Sequence, residues 1–156
     1  MIQRLQSVYL AIATLLGASL ALGTIATYVS PLGITTTLGI SNTVVNTAFQ
    51  TLESNINGGI LVISAVIVGM GLFALFSFKN RKTQQLVCNI GTVLSLFATL
   101  YLASTNNMLM EKNGINAFII SNYRLFTPLL CMMLFILAQR AIKKDDDLVK
   151  SADRLR

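Results

Sequence analysis

Charged side chains stand in clusters along this chain, and the intervals between the clusters are long. Between Arg4 and Glu53 lie 48 residues without Asp, Glu, Lys or Arg. The same silence recurs over residues 54–78, 83–110 and 125–139. Within these intervals the apolar runs approach the roughly 20 residues that a helix, rising ~1.5 Å per residue, needs to cross a bilayer's hydrocarbon. They predict four transmembrane helices, at residues 8–29, 60–78, 86–103 and 125–141. The first is expected to stop before Ser30-Pro31, because the residue before a proline is pushed out of helical geometry. The second stops at Lys79-Asn80-Arg81-Lys82. The fourth is the shortest. Arg140 at its end can snorkel to the interface, and Pro128 falls in its first turns, where a missing backbone donor costs least.

The expected fold class is therefore an all-α membrane protein, a four-transmembrane-helix bundle. Residues 1–142 would form the transmembrane domain and residues 143–156 a short tail, either frayed or helical. Composition agrees: 54% of residues are apolar and only 12% are charged, about half the charge of a soluble domain. At 156 residues there is room for one bundle and no second domain.

The charges also predict orientation. An even number of spans puts both termini on one side. That side would hold Arg4, Lys79, Arg81, Lys82, Arg140, Lys143, Lys144, Lys150, Arg154 and Arg156, against Lys112 and Arg124 on the other. The bias places both termini in the cytoplasm of a bacterial inner membrane. The net charge of +6 then reports topology beside anionic headgroups rather than a nucleic-acid footprint. The tyrosines fit: Tyr9 falls at the expected inner interface, and Tyr28, Tyr101 and Tyr123 at outer ones. Residues 1–23 resemble a secretory signal, with a basic start, an apolar stretch and small residues around Ala21-Leu22-Gly23. The apolar run continues through Ile25-Ala26 to Val29, longer than a signal core, so a retained first span is expected.

Small residues recur every fourth position in three spans: Ala13, Gly17 and Ala21 in the first, Ala65 and Gly69 in the second, Gly91, Ser95 and Thr99 in the third. Such rows let helices approach closely in lipid. They either knit the bundle internally or face a partner protein, and the first use is the commoner.

Of the two outer loops, residues 30–57 are uncharged except for Glu53. Gly33-Ile34-Thr35-Thr36-Thr37-Leu38-Gly39-Ile40 has strand-like content and suggests a small hairpin. Residues 43–52 could equally form a short interfacial helix, with Val44, Val45, Ala48 and Leu52 on one side. Residues 104–123 read as a polar loop with a turn at Asn113-Gly114.

The chemistry is mostly absent. There is no histidine, which removes the usual metal ligand and neutral-pH base. No metal, cofactor or nucleic acid is expected. Cys88 and Cys131 would lie at different depths, separated by roughly 15 Å of helix height, too far for a disulfide. No ionisable side chain falls in the core of a span, which weighs against pumps, ion-coupled carriers and enzymes. Catalytic residues are expected to be none.

The tail mixes signs: Lys143, Lys144, Lys150, Arg154 and Arg156 against Asp145, Asp146, Asp147 and Asp153. Asp146 and Lys150 are spaced i,i+4, which supports a helix slightly. Leu148, Ala152 and Leu155 would then form a narrow apolar stripe, and residues Leu148, Lys150, Ala152, Asp153, Arg154 and Leu155 are the candidate partner contact.

Three stretches carry a family resemblance. Met1-Ile2-Gln3-Arg4-Leu5-Gln6-Ser7-Val8-Tyr9-Leu10, the loop Phe78-Lys79-Asn80-Arg81-Lys82 with Gln84 and Cys88, and the ending from Arg140-Ala141-Ile142-Lys143-Lys144-Asp145 through Leu155-Arg156 resemble an uncharacterised membrane family of Bacteroidota known as domain of unknown function 4293. The resemblance implies a four-span inner-membrane protein and brings no activity, cofactor or catalytic residue. The expected function is that of a non-catalytic accessory or scaffold subunit of a larger membrane assembly, with the lipid bilayer and a membrane protein as partners. The alternatives are a small carrier or lipid-binding protein for an uncharged or lipid-like molecule, and a membrane enzyme or its activator.

Overall fold

The computed structural model describes residues 5–22, 24–29, 35–39, 43–46, 51–54, 58–78, 80–112, 118–120 and 123–154. The chain is mostly helical. Four α-helices, α1 (Leu5–Leu20), α2 (Gly58–Phe76), α3 (Arg81–Lys112) and α4 (Thr127–Arg154), enclose one core. Five short strands, β1 (Ala26–Val29), β2 (Thr35–Leu38), β3 (Thr43–Asn46), β4 (Thr51–Ser54) and β5 (Phe118–Ile120), form a sheet at one end. A 3-10 turn, Tyr123–Phe126, leads into α4.

The helices close a ring in which α1 packs on α2 and α4, and α3 packs on the same two. All four contacts are antiparallel: the paired residues show it for three, and the three fix the fourth, α1 on α4. Gly17 of α1 meets Ile67 of α2 while Thr14 meets Gly71. Gly59 of α2 meets Tyr101 of α3, and the Gln84 amide of α3 reaches the Ala74 carbonyl of α2. Gly91 of α3 meets Phe135 of α4, and Arg81 meets Asp146. The core between the helices contains Leu10, Ala13, Leu20, Ile67, Ala74, Val87, Cys88, Ala98, Cys131, Phe135, Ala138 and Ile142.

The outside of the ring is apolar as well. Leu5, Val8, Ile12 and Leu15 on α1 are exposed, as are Leu61, Val62, Phe73 and Phe76 on α2, Leu86, Val93, Phe97 and Leu100 on α3, and Leu130, Met133 and Leu137 on α4. Exposed large side chains over so much area are the mark of a surface solvated by lipid. Three of the helices are long and apolar enough to cross a membrane, and the chain is a membrane protein.

The first expected span is corrected. Its helix ends at Leu20, with Ala21 and Leu22 amides turning back to the Ala18 and Ser19 carbonyls at 3.0 and 3.2 Å, the tightened bonds of a helix end. From Ile25, whose amide donates to the Leu38 carbonyl at 2.7 Å, the backbone is satisfied by the sheet. Residues 24–29 are apolar enough to extend a hydropathy run, but Thr27, Tyr28 and Val29 are strand formers, and they alternate faces. Ile25, Ala26 and Tyr28 are buried with Leu38, Ile60 and Leu102 in a second cluster that closes the end of the bundle.

The sheet order is β4-β3-β2-β1-β5, with every neighbouring pair antiparallel. The helical alternative for residues 43–52 is thereby overturned: β3 and β4 pair Val44 with Glu53 and Val45 with Leu52, a use that β-branched residues favour. β5 arrives from the connection between α3 and α4 and pairs with β1, Tyr28 opposite Ile119, so the α1–α2 and α3–α4 connections are joined in one sheet.

The second correction is at residues 104–112, which continue α3 instead of forming a polar loop. The Ser104 and Thr105 hydroxyls both donate to the Tyr101 carbonyl, at 2.8 and 2.9 Å, so these polar side chains are satisfied without leaving the helix. At the other end the tail takes the helical of its two expected forms, and α4 runs unbroken from Thr127 to Arg154. The expected turn at Asn113-Gly114 lies outside the described residues.

Candidate interaction surface at the basic end

The α2–α3 connection is short and defines one end of the bundle. The Asn80 amide donates to Ser77 and the Asn80 carbonyl accepts from the Gln84 amide at 2.9 Å, which makes Asn80 the N-cap of α3. Arg81 then points at α4. Its Nη1 donates to the Asp145 carbonyl at 3.2 Å and lies 3.7 Å from Asp146 Oδ1. Lys150 Nζ bonds the other Asp146 oxygen at 2.6 Å, one turn along α4. The Lys150 hydrogen bond, then the charges of Lys150, Arg81 and Lys82, hold the Asp146 carboxyl below its ordinary range. Both contacts are solvated, so their effect on global stability is small. Their effect is local: they fix the first exposed turns of α4 beyond the bundle.

Beneath this layer lie two buried glutamines, Gln6 of α1 and Gln84 of α3. Gln84 Nε2 donates to the Ala74 carbonyl at 3.0 Å, serving one of the last carbonyls of α2, which a helix cannot satisfy itself. Its Oε1 has no hydrogen-bond partner among the described residues, and neither has the Oγ of the fully buried Ser95.

Beyond Ile142, which is wholly buried, α4 keeps the Arg81 contacts at Asp145 and Asp146, and from Asp147 to Ser151 it is exposed. An open groove of about 390 Å³ runs along it, lined by Arg140, Lys143, Lys144, Asp147 and Leu148. Leu148 at the groove and Val149 next to it in sequence are exposed, 59% and 44%, in a stretch of α4 that otherwise carries charge. A second, smaller crevice of about 210 Å³ lies between α2 and α3, lined only by Val62, Ile63, Val66, Ile67 and Leu94.

At the opposite end the sheet is latched to the helices. The Tyr28 hydroxyl donates to Asn106 Oδ1, and Arg124 Nη1 donates to the Thr24 carbonyl at 2.7 Å. Burial pushes the Tyr28 hydroxyl up to about 12, which keeps it a donor.

The residues singled out in the sequence fall in several places. Ala13 and Gly17 are buried on α1, Gly91 and Ser95 on α3. A Cβ on Gly17 would fall 2.8 Å from Ile67 Cγ2, and one on Gly91 3.1 Å from the Phe135 ring. Ala21 is exposed in the turn after α1, and Ala65 and Gly69 lie on the outer side of α2. Leu148 and Lys150 are exposed on α4, Ala152, Asp153 and Arg154 are in its last turns, and Leu155 lies outside the described residues. Cys88 and Cys131 are free and buried, with Cys131 Sγ donating to the Ala13 carbonyl at 3.6 Å. Among the described residues no group of three His, Cys, Asp or Glu could hold a metal ion.

Sequence reading missed Gly71, which faces Thr14 so closely that a Cβ would collide with its hydroxyl. The signal was there: Ser64, Ile67, Gly71 and Ala74 form the buried stripe of α2 at helical spacing. The exposed Ala65–Gly69 pair drew attention from it. The Tyr28–Asn106 latch left no sequence signal.

A helical ring with an apolar outside, capped by a small antiparallel sheet and carrying one helix beyond its basic end, defines a membrane protein. The chain matches, over residues 2–155, the family described as Domain of unknown function (DUF4293), and belongs to it. No curated protein matches the chain.

Proposed function

We propose that the chain is a non-catalytic accessory or scaffold subunit of a larger assembly in the bacterial inner membrane. In this reading it crosses the membrane four times, with both termini in the cytoplasm. The continuation of α4 past the bundle carries the reading: a helix held by Arg81 offers Leu148 and Val149 beside Asp147 and Lys150. Exposed apolar side chains on a charged helix that its own bundle leaves uncovered suit a docking element. α1 has 16 residues, about 24 Å, shorter than the ~30 Å hydrocarbon. Its outward Leu5, Val8, Ile12 and Leu15 support its standing in lipid with the other three.

The test is capture of the full-length chain in mild detergent beside a chain lacking residues 148–156. The full-length chain is expected to bring down a stoichiometric membrane protein, and the shortened chain to insert normally and lose it. Full biological activity after the deletion would make the tail a solvated end. The alternative, a carrier or lipid-binding protein for an uncharged molecule, draws support from the wholly apolar crevice between α2 and α3. It predicts a lone particle holding a lipid-like molecule.

A further inference from the structure

We infer that the groove formed by Arg140, Lys143, Lys144, Asp147 and Leu148 is a binding site for the headgroup of an anionic phospholipid, whose acyl chains lie along α4.

The face of α4 is built for both ends of such a molecule. Leu130, Met133, Leu137, Arg140, Lys144 and Leu148 succeed one another at intervals of three and four, so they share one face. The first three are exposed and apolar. Arg140 and Lys144 are exposed and basic, and Lys143 stands beside them at the groove. From Leu130 to Arg140 the helix rises about 15 Å, half of the ~30 Å hydrocarbon. The apolar strip thus has the depth of one leaflet, and the bases begin where that leaflet's phosphates lie.

The height is fixed independently. Arg81 and Lys82 open α3 at the level of Asp145 and Asp146, one to two turns beyond Arg140, so the bases of both helices gather at the same end of the bundle. Within the groove there are three bases against one acid, which favours a phosphate of net negative charge over a zwitterion. The groove has a volume of about 390 Å³, and a guanidinium and two ammonium groups offer a planar fork and rotatable donors to phosphate oxygens. The site rests on α4 crossing the membrane and shares Asp147 and Leu148 with the proposed partner contact, but lipid retention is read without the partner.

The experiment uses the full chain, stripped of lipid in nonionic detergent and mixed with phosphatidylglycerol or phosphatidylcholine of the same chain length. Retained lipid is counted by native mass spectrometry. The native chain is expected to retain phosphatidylglycerol in preference. At about fivefold per base, Arg140→Gln with Lys144→Gln should weaken that retention roughly 25-fold and leave phosphatidylcholine unchanged. Arg154→Gln with Arg156→Gln removes the same charge near the C-terminus and should have little effect. Equal loss in the two double variants would reduce the effect to net charge and overturn the site. Equal retention of the two lipids by the native chain would overturn it as well. Inorganic phosphate at the same concentration should not displace the lipid; displacement would show a simple anion site without an acyl strip. Arg140 and Lys144 also orient the chain, so Asp147→Asn, which keeps every base, gives a second reading: retention of phosphatidylglycerol should rise, and a fall would sink the assignment.

Discussion

The Tyr28 hydroxyl donates to Asn106 Oδ1 across 78 positions of sequence. It joins the first strand of the sheet to the extension of α3, at the end where Ile25, Ala26, Leu38, Ile60 and Leu102 close the bundle. With the Arg124 bond to the Thr24 carbonyl, it makes the sheet part of the same body as the helices. Tyr28→Phe keeps the ring and removes the donor, so it should cost about 1 kcal/mol, read as a lower melting temperature in detergent. In a double-mutant cycle with Asn106→Ala the two losses should be less than additive, because they remove one interaction. Additive losses would show that the pair is not coupled.

The same tyrosine gives a pH dependence. The fold holds its proton to about 12, against an ordinary value of 10.0. The unfolded chain therefore loses this proton first as pH rises. Stability should be unaffected by Tyr28 below pH 10 and fall as pH climbs from 10 to about 12. Tyr28→Phe should flatten that alkaline loss in pH-dependent thermal unfolding. An equally steep loss in the variant would assign it to other groups.

Two glycines two residues apart on α2 should answer oppositely to the same substitution. Gly71 faces Thr14 of α1, and a Cβ there would collide with its hydroxyl; a Cβ on Gly69 would meet nothing within 4 Å. Gly71→Ala should destabilise by about 1–3 kcal/mol through overpacking. Gly69→Ala should be neutral or stabilising by up to about 1 kcal/mol through helix propensity. Thermal unfolding of the two variants side by side checks both. A destabilised Gly69→Ala would mean that the outer face of α2 is covered in the purified particle.

Much of this arrangement was written in the hydropathy pattern, and what was not has physical causes. The α2–α3 connection and the start of α4 were legible because charge or proline interrupts an apolar run: Lys79, Arg81 and Lys82 between α2 and the apolar part of α3, Pro128 in the first turn of α4. The end of α1 was not, since Thr24 to Val29 are as apolar as a helix and differ only in strand preference, a weaker signal that pairing with β2 and β5 decides. Residues 104–112 looked like a loop because Ser104, Thr105 and Asn106 are polar. A polar side chain bonded back to its own helix carbonyl, or to Tyr28, leaves no such trace in sequence. Gly71 and Gly69 are alike to a composition rule. Only the direction of the α2 face, set by Ile67 and Ala74 turning inward, separates them.

The Asp146 contacts predict a local effect. Asp146 is held ionised by Lys150 and Arg81, and its loss should free the helix beyond Ile142 without loosening the core. Asp146→Asn should leave the melting temperature nearly unchanged and speed amide hydrogen exchange over residues 145–154. Because the folded value lies below the ordinary carboxylate range, the contribution is present above that range and lost as pH falls through the folded value. Exchange in the native chain should quicken likewise on acidification. Unchanged exchange in the variant would show that the α4 extension stands without the link.

Orientation is the last expectation, and the fold sharpens how it should be measured. Arg81, Lys82, Arg140, Lys143 and Lys144 are gathered at one end by the antiparallel contact of α3 and α4. The sheet and the Tyr28–Asn106 latch lie at the other. Basic residues beside a span hold it on the cytoplasmic side, so the sheet end should be exported. A reporter active only in the cytoplasm should work when fused after Arg156 or Lys82 and fail after Asn46 or Asn113. Asn46 is the decisive position, because it closes β3 and follows only α1 among the helices. Activity there would mean that α1, at 16 residues, does not cross. The chain would then have three spans, its N-terminus would share a side with the sheet, and the apolar outer face of α1 would need a cover other than lipid.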